Sequence, residues 1–244
     1  VWAALYAIAY PAIPLMSRAT GGVLGWNSRT AVAADLAALE ARRGADLQAL
    51  RAAPLEAIAA DARLLGFARA YGKAAFGDNC AACHGAGAGG AKSYPNLIDD
   101  EWLWGGKLAD IQQTITYGIR SGHDETRQGN MPALVRDGLI KRDEAAILAD
   151  YTRHLAGLPF EKLDVAKGAQ LFAANCASCH GDAGKGNREL GAPNLTDSIW
   201  LYGSDRAALL EGLTNGRGGV MPAFTGRLDE ATVKALTVYV HTLG

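Results

Sequence analysis

A six-residue string that occurs twice constrains this sequence more than any other feature. It reads Cys-Ala-Ala-Cys-His-Gly over residues 80–85 and Cys-Ala-Ser-Cys-His-Gly over residues 176–181. A C-x-x-C-H string is typical of covalent attachment of a c-type haem. The two thiols can form thioethers with the haem vinyl groups, and the adjacent histidine can bind the iron. We therefore predict two covalently bound haem c groups, one on Cys80 and Cys83 and the other on Cys176 and Cys179.

Other uses of a C-x-x-C pair fit this sequence less well. A redox-active pair is expected beside a strand–helix pattern, which neither copy shows. A zinc site would need further Cys or His at ligand spacing, and no such spacing occurs. All four cysteines of the chain belong to the two motifs, so no disulfide framework remains.

The surroundings of the motif are duplicated as well, and this internal repeat predicts the architecture. Neither copy contains alternating strand patterns, and each closes with an amphipathic helical pattern that holds a tyrosine. We predict an all-α fold of two tandem domains, over residues 66–157 and 158–244. The matched positions, first copy then second, are Gly72-x-x-x-Phe76 and Gly168-x-x-x-Phe172, Pro95-Asn96-Leu97 and Pro193-Asn194-Leu195, Trp102 and Trp200, Gly118-Ile119-Arg120 and Gly216-Arg217, Met131-Pro132-Ala133 and Met221-Pro222-Ala223, and Tyr151 and Tyr239.

The start of the sequence is apolar and carries no charge before Arg18. The apolar run is shorter than the roughly 20 residues that cross a bilayer. We predict that residues 1–20 are the C-terminal part of a transmembrane helix, in which Trp2, Tyr6 and Tyr10 suit the membrane interface. A buried soluble helix is the alternative. A secretory signal fits less well, because no basic leader precedes the apolar run.

Residues 21–65 carry no recognisable chemistry and are predicted to form a helical spacer. Good helix formers fill the stretch from Thr30 to about Arg43, Gly44 interrupts it, and Pro54 suits the first turn of a further helix. The chain of 244 residues is 49% apolar and has a net charge of −1. This length predicts two globular domains, and the even charge balance gives no indication of nucleic-acid binding.

An iron with six ligands needs a second axial ligand opposite its histidine. A methionine thioether is a soft, neutral ligand that favours ferrous iron. Of the three methionines, Met16 lies in the apolar start, whereas Met131 and Met221 each stand before a proline that stiffens the loop. We predict ligation by His84 and Met131 at the first iron and by His180 and Met221 at the second. The alternative is that these methionines only fill gaps in the core.

Other residues could complete the sites. His123 is a rival ligand for the first iron, but it lies in a polar loop without a counterpart, where a solvated histidine is the commoner case. A ligating histidine usually donates its other N–H to a carbonyl, and Pro95 and Pro193 are placed to accept these bonds. Further residues are predicted either to wall the haems or bond their propionates, or to be ordinary core aromatics and surface cations: Trp102, Trp104, Trp200, Tyr202, Arg120 and Arg217.

With these residues, the repeats resemble class I cytochrome c domains over residues 66–244. In that family the Gly-x-x-x-Phe helix crosses the closing helix at its aromatic residue, and the methionine loop covers the open face of the haem. The strings at residues 94–106 and 115–127, and Leu-Gly-Trp-Asn-Ser at residues 24–28, resemble the dihaem subunit, subunit III, of cbb3-type cytochrome c oxidases.

The resemblance implies a protein of the bacterial inner membrane with both haem domains in the periplasm. Such a subunit accepts electrons from a donor cytochrome c and relays them to a monohaem subunit. They pass on to a haem–copper subunit that reduces O₂ while protons are pumped. The chain itself would hold no catalytic centre, and its iron ligands would be His84 with Met131 and His180 with Met221. A free-standing or dehydrogenase-linked dihaem carrier is the alternative; a dihaem peroxidase or a sensor would need an open iron.

Overall fold

The computed structural model describes residues 1–10, 22–162 and 164–244; Pro11, Pro14 and Met16 lie outside the described residues. Among the described residues the regular elements are all helices, joined by loops with isolated β-bridges, as the sequence predicts. The helices are α1 Trp2–Ala9, α2 Ser28–Ala52, α3 Leu55–Ala60, α4 Ala62–Asn79, α5 Ala81–His84, α6 Leu108–Tyr117, α7 Arg142–Leu155, α8 Val165–Asn175, α9 Ala177–His180, α10 Arg206–Asn215 and α11 Glu230–His241.

Residues 1–49 form one compact unit and residues 50–244 another. In the first unit, α1 buries none of its side chains. The rings of Tyr6 and Tyr10 stack with centroids 4.7 Å apart, and Trp26 meets Tyr10 edge-on. Within the described part of the chain, no helix is both long and apolar enough to cross a membrane. The transmembrane helix end therefore stays a prediction.

The predicted helical spacer, residues 21–65, does not form one element in the structure, because the boundary between the two units falls within it. Asn27 caps α2 by accepting from the backbone N–H groups of Arg29 and Thr30. The helix then continues through Gly44, because one interior glycine costs only about 1 kcal/mol of helix stability. Residues 50–65 belong to the globular unit rather than to a spacer. The reason is apolar burial, since Leu55 and Ile58 of α3 are buried in this unit.

The closing helices are exchanged between the two copies of the repeat. Helix α11, from the second copy, packs on α4 and α6 of the first. Helix α7, from the first copy, packs on α8 and α10 of the second. We call α3–α6 with α11 the first lobe, and α7–α10 the second lobe. The tandem division into residues 66–157 and 158–244 is therefore not the division that the packing shows.

Each exchanged contact is a helix crossing at a glycine. A Cβ on Gly72 would lie 2.3 Å from the carbonyl oxygen of Ala235 and 2.7 Å from the Cβ of Tyr239. A Cβ on Gly168 would lie 2.7 Å from Cδ2 of Tyr151. The crossing of the Gly-x-x-x-Phe helix with a closing tyrosine is therefore present twice, each time between copies.

The phenylalanine of each Gly-x-x-x-Phe string extends its crossing into a core. The ring of Phe76 meets that of Tyr239 edge-on at 5.6 Å, and Phe172 lies 5.8 Å from Tyr151. Each lobe has its own apolar cluster. The buried members are Phe76, Ala88, Ile111, Ile115, Phe224, Val233, Leu236 and Val240 in the first lobe, and Leu134, Ile140, Ala145, Leu148, Ala149, Leu171, Phe172 and Leu213 in the second.

An ion pair between the buried Asp150 and the partly exposed Arg206 links α7 to α10 in the second lobe. The carboxylate of Asp150, 1% exposed, accepts from Nε of Arg206 on α10 at 3.1 Å and from the backbone N–H of Glu161 at 3.2 Å. The hydrogen bonds to Asp150 raise the pKa of the Arg206 guanidinium. Because the two charges come from different copies of the repeat, the pair stabilises the exchanged packing.

The helix crossing at Gly72 predicts that replacing glycine by alanine changes the stability of the protein in opposite directions at two positions of α4. Gly72→Ala should destabilise the protein by about 1–3 kcal/mol, because the new methyl group meets the backbone of α11. Gly66→Ala should stabilise it by up to about 1 kcal/mol, because nothing lies within 4 Å of a Cβ there. Denaturant unfolding of the haem-loaded chain measures both. A neutral Gly72→Ala would contradict the crossing.

Removing the cation of the buried pair should also destabilise the exchanged packing. Arg206→Met leaves the Asp150 carboxylate buried with the Glu161 N–H as its remaining partner, at a cost of about 3 kcal/mol. The matched control is Arg136→Met, whose pair with Asp137 is exposed and should cost less than about 1 kcal/mol. Equal losses of unfolding free energy in the two variants would show that Asp150 does not depend on Arg206.

Candidate haem sites

Each C-x-x-C-H motif forms a single helical turn directly after a longer helix. The N–H of Cys80 donates to the carbonyl of Phe76 at 2.8 Å and so ends α4, while its own carbonyl accepts from the N–H of His84 at 2.9 Å. The second motif repeats these two bonds with Phe172, Cys176 and His180 at the same distances. The first cysteine therefore joins two helices, and the turn brings both thiols and the imidazole to one place.

The four thiols are free and fall into two environments. Cys80 packs against the first-lobe cluster and Cys176 against the second-lobe cluster. Burial raises the pKa of each of these two thiols to about 11. Cys83 and Cys179 are exposed. Each motif thus presents one thiol towards the core and one towards the surface, which suits a flat ring held edge-on in a crevice.

The imidazoles are oriented by backbone carbonyls. Nδ1–H of His84 donates to the carbonyl of Pro95 at 3.0 Å, and Nδ1–H of His180 donates to that of Pro193 at 2.9 Å. Both bonds are those that the sequence predicts. They leave Nε2 of each ring as the nitrogen that can bind iron. Burial lowers the pKa of His180, which favours the neutral imidazole that metals bind.

Each methionine packs against the apolar cluster that also holds the first cysteine of the other copy's motif. Met221 packs in the first lobe, with Cys80 and the core residue Phe76. Met131 packs in the second lobe, with Cys176. The sequence predicts that Met131 pairs with His84 and Met221 with His180. The packing instead places each methionine in the lobe of the other copy, so the ligand pairs themselves stay a prediction. Each methionine loop directly precedes a closing helix in the chain. Because that closing helix packs in the lobe of the other copy, the methionine loop lies there too.

Short backbone ladders hold both methionine loops. Ile119 and Met221 exchange two hydrogen bonds, with N–O distances of 2.9 and 3.0 Å. Met131 and Arg217 exchange another two, at 2.9 and 3.1 Å. The loops thus pair reciprocally, each with a segment of the other copy.

Glycine is required beside each ladder. Gly118 has a φ of +72°, and a Cβ there would lie 2.3 Å from the carbonyl oxygen of Met221. Gly216 has a φ of +74°, and a Cβ there would lie 2.5 Å from that of Met131. The repeated glycines of the sequence are explained by these close approaches, which the sequence pattern did not reveal.

The aromatic residues proposed for the haem surroundings have separate roles. Trp102 packs on the first-lobe cluster. The indole N–H of Trp200 donates to the carbonyl of Asp197 at 3.0 Å, so it is already engaged. Trp104 lies under the guanidinium of Arg127, 5.3 Å from it.

The two arginines of the repeat differ from each other. The guanidinium of Arg217 donates to the carbonyl of Ala208 at 2.9 Å and lies 4.6 Å from the centre of the Tyr202 ring. The guanidinium of Arg120 instead donates to the carbonyl oxygens of Gly219 and Gly129.

The remaining histidines have other partners. Nδ1 of His123 accepts from the backbone N–H of Glu125 at 3.0 Å, and its ring lies 4.6 Å from that of Tyr117. Nδ1–H of His241 donates to the carbonyl of Gly106 at 3.0 Å, and His154 is exposed.

Phe224 belongs to the second copy of the repeat in sequence, but its side chain is buried in the first-lobe cluster. The sequence does not predict this position, because it depends on which lobe the closing helix packs in.

The donor set fits a haem better than a bare metal ion. Each lobe contains two thiols, one imidazole whose Nε2 is left for a ligand and one thioether, which is the donor chemistry of a c-type haem. One thiol and the thioether pack against the apolar cluster of the lobe. Across residues 1–10, 22–162 and 164–244, no cluster of three or more His, Cys, Asp or Glu residues could hold a metal ion. Two such sites on crossed helices define the cytochrome c fold.

Comparison with known proteins agrees with this class. Residues 69–156 match the family "Cytochrome c", and residues 163–240 match "Cytochrome C oxidase, cbb3-type, subunit III". The chain is 58% identical over 245 residues to the cbb3-type cytochrome c oxidase subunit FixP of Bradyrhizobium diazoefficiens, with 100% of this chain and 84% of the relative covered. It is 46% identical over 245 residues to the subunit CcoP of Cereibacter sphaeroides, at the same coverage. The chain therefore belongs to the FixP/CcoP family of cbb3-type cytochrome c oxidase subunits.

Proposed function

We propose that this chain passes electrons from a donor cytochrome c through two c-type haems to the monohaem and haem–copper subunits of a proton-pumping cbb3-type oxidase. The observation that carries the proposal is the pair of equivalent sites. In each, a proline carbonyl holds the histidine, and the first cysteine and a methionine pack against one apolar cluster. The names of the relatives, and their similarity over the whole of this chain, support the same role.

The packing supports a particular set of ligands for each haem. His84 with Met221 would hold the first iron, and His180 with Met131 the second, while the cysteines of each motif hold the porphyrin. A bound haem supplies a one-electron iron couple. The protein would fill both axial positions, because the proline carbonyls aim the imidazoles and the backbone ladders present the thioethers. Filled axial positions suit an electron relay and leave no room for O₂ or peroxide.

The proposed location is the bacterial inner membrane, with the haem lobes in the periplasm. Support comes from the apolar start of the chain, where Trp2 is 86% exposed and Leu5 and Tyr6 are also exposed. A helix that exposes such side chains all round is costly in water and suits a lipid environment. The same feature disfavours a free-standing carrier.

The exchanged ligand pairs can be tested with one haem at a time. In the full chain with Cys80→Ala and Cys83→Ala, which would retain the second haem alone, Met131→His should lower the potential of that haem by on the order of 100 mV, because imidazole stabilises ferric iron more than a thioether does. Met221→His should leave it unchanged. Redox titration measures both. The reverse result would restore the pairing of each methionine with its own copy.

Filled axial positions predict that carbon monoxide does not bind. The reduced, purified chain should keep an unchanged haem spectrum under carbon monoxide, because neither iron has an open position. Rapid, stoichiometric binding at one haem would overturn the relay and favour a peroxidase or a sensor. Isolation of the native chain from membranes is the complementary measurement, and recovery without a haem–copper subunit would favour an independent carrier.

A further inference from the structure

One arginine side chain is attached to both methionine loops. Nε of Arg120 donates to the carbonyl oxygen of Gly219 at 2.6 Å, and Nη1 donates to the carbonyl oxygen of Gly129. Gly219 stands two residues before Met221, and Gly129 stands two residues before Met131. The two acceptors thus come from different copies of the repeat, and Arg120 joins them through a single planar group.

The backbone around Arg120 is arranged to deliver this side chain. Arg120 has a φ of +49°, a conformation that non-glycine residues seldom adopt and that costs about 1 kcal/mol or more. Its N–H donates to the carbonyl of Arg127 at 2.7 Å. The preceding residue, Ile119, forms the ladder with Met221. The side chain of Arg120 passes close to Gly218, where a Cβ would lie 3.8 Å from Cδ of Arg120, an ordinary contact distance.

The chemistry of guanidinium matches this position. A guanidinium donates in several directions within one plane and stays charged when partly buried, whereas an ammonium is a compact charge without a fixed fork. Burial lowers the pKa of Arg120, but a guanidinium remains cationic at neutral pH. Charge-assisted hydrogen bonds to two carbonyls are stronger than neutral ones, and so they can hold two loops.

We propose that Arg120 is a positioning residue for both methionine loops, so that the sixth ligands of the two irons share one support. The inference rests on the proposed ligation by Met131 and Met221. Its consequence is coupling: a change at Arg120 loosens both thioether–iron bonds, even though the arginine need not touch either haem. A propionate-binding role, the sequence-based alternative for Arg120, would instead affect the haem whose propionate it binds.

The test compares two substitutions at Arg120 with a matched control in the haem-loaded full chain. Arg120→Gln removes both charge-assisted bonds, and Arg120→Lys keeps the charge but not the fork. The control is Arg153→Gln, because Arg153 also donates to two carbonyls, those of Pro159 at 2.5 Å and of Ser204, away from the methionine loops. The readouts are the absorption band specific to methionine-ligated ferric haem and the potentials of both haems.

Arg120→Gln should weaken the methionine band at both haems and shift both potentials downwards, with Arg120→Lys intermediate. Arg153→Gln should lower thermal stability and leave band and potentials unchanged. Should Arg120→Gln fail to accumulate, a partial loss at both haems in Arg120→Lys supports the proposal and a normal band overturns it. Arg120→Lys is also placed in the chain with Cys80→Ala and Cys83→Ala and in a chain with Cys176→Ala and Cys179→Ala. Each of these would keep one haem, so each loss is assigned to a single haem.

Three results would overturn the shared support. A change at one haem alone indicates a local role, such as propionate binding. Equal effects of Arg120→Gln and Arg153→Gln indicate general destabilisation. A normal band in Arg120→Gln overturns this inference while leaving methionine ligation intact. By contrast, a missing methionine band in the unmodified protein overturns the ligand assignment itself, and with it this inference.

Discussion

The close approach of two helices at a glycine is the contact on which the rest of this structure depends. At Gly72 and at Gly168, a helix that leads into a C-x-x-C-H turn is crossed by a closing helix whose tyrosine lies against the glycine. The leading helix ends at the first cysteine of the motif, so the crossing also determines where the thiols and imidazole stand. The closing helix follows a methionine loop in the chain and brings that loop to the same cluster. One packing contact therefore brings a methionine loop into the lobe that holds a C-x-x-C-H motif.

Features that depend on local spacing could be read from the sequence. The C-x-x-C-H turns, the hydrogen bonds from His84 and His180 to proline carbonyls, and the crossing of a Gly-x-x-x-Phe helix with a tyrosine are all present. These features need only residues that are near one another in the chain, or a type of partner rather than a particular one. Membership of the oxidase-subunit family, which relatives similar over the whole chain show, agrees with the strings at residues 94–106 and 115–127.

The choice between two equivalent partners could not be read in the same way. Both closing helices carry a tyrosine at the matching place, so the pattern cannot tell whether Tyr151 packs on Gly72 or on Gly168. The short connection over residues 156–164 and the Asp150–Arg206 pair join α7 to the second copy, and neither feature belongs to the repeat. The hydrogen bonds of Arg120 could not be predicted from the sequence either, because their acceptors are backbone carbonyls and one of these is 99 residues away.

The exchange of closing helices imposes an order of assembly during synthesis. The second lobe consists of neighbouring stretches of chain, from the Met131 loop to α10 at Asn215. The first lobe brings α4, which begins at Ala62, against α11, which ends at His241, so its core closes across most of the chain. Contacts between distant stretches form late because a long loop must close first. The core beside the earlier motif can therefore close only after α11 has been made, whereas the core beside the later motif does not need α11.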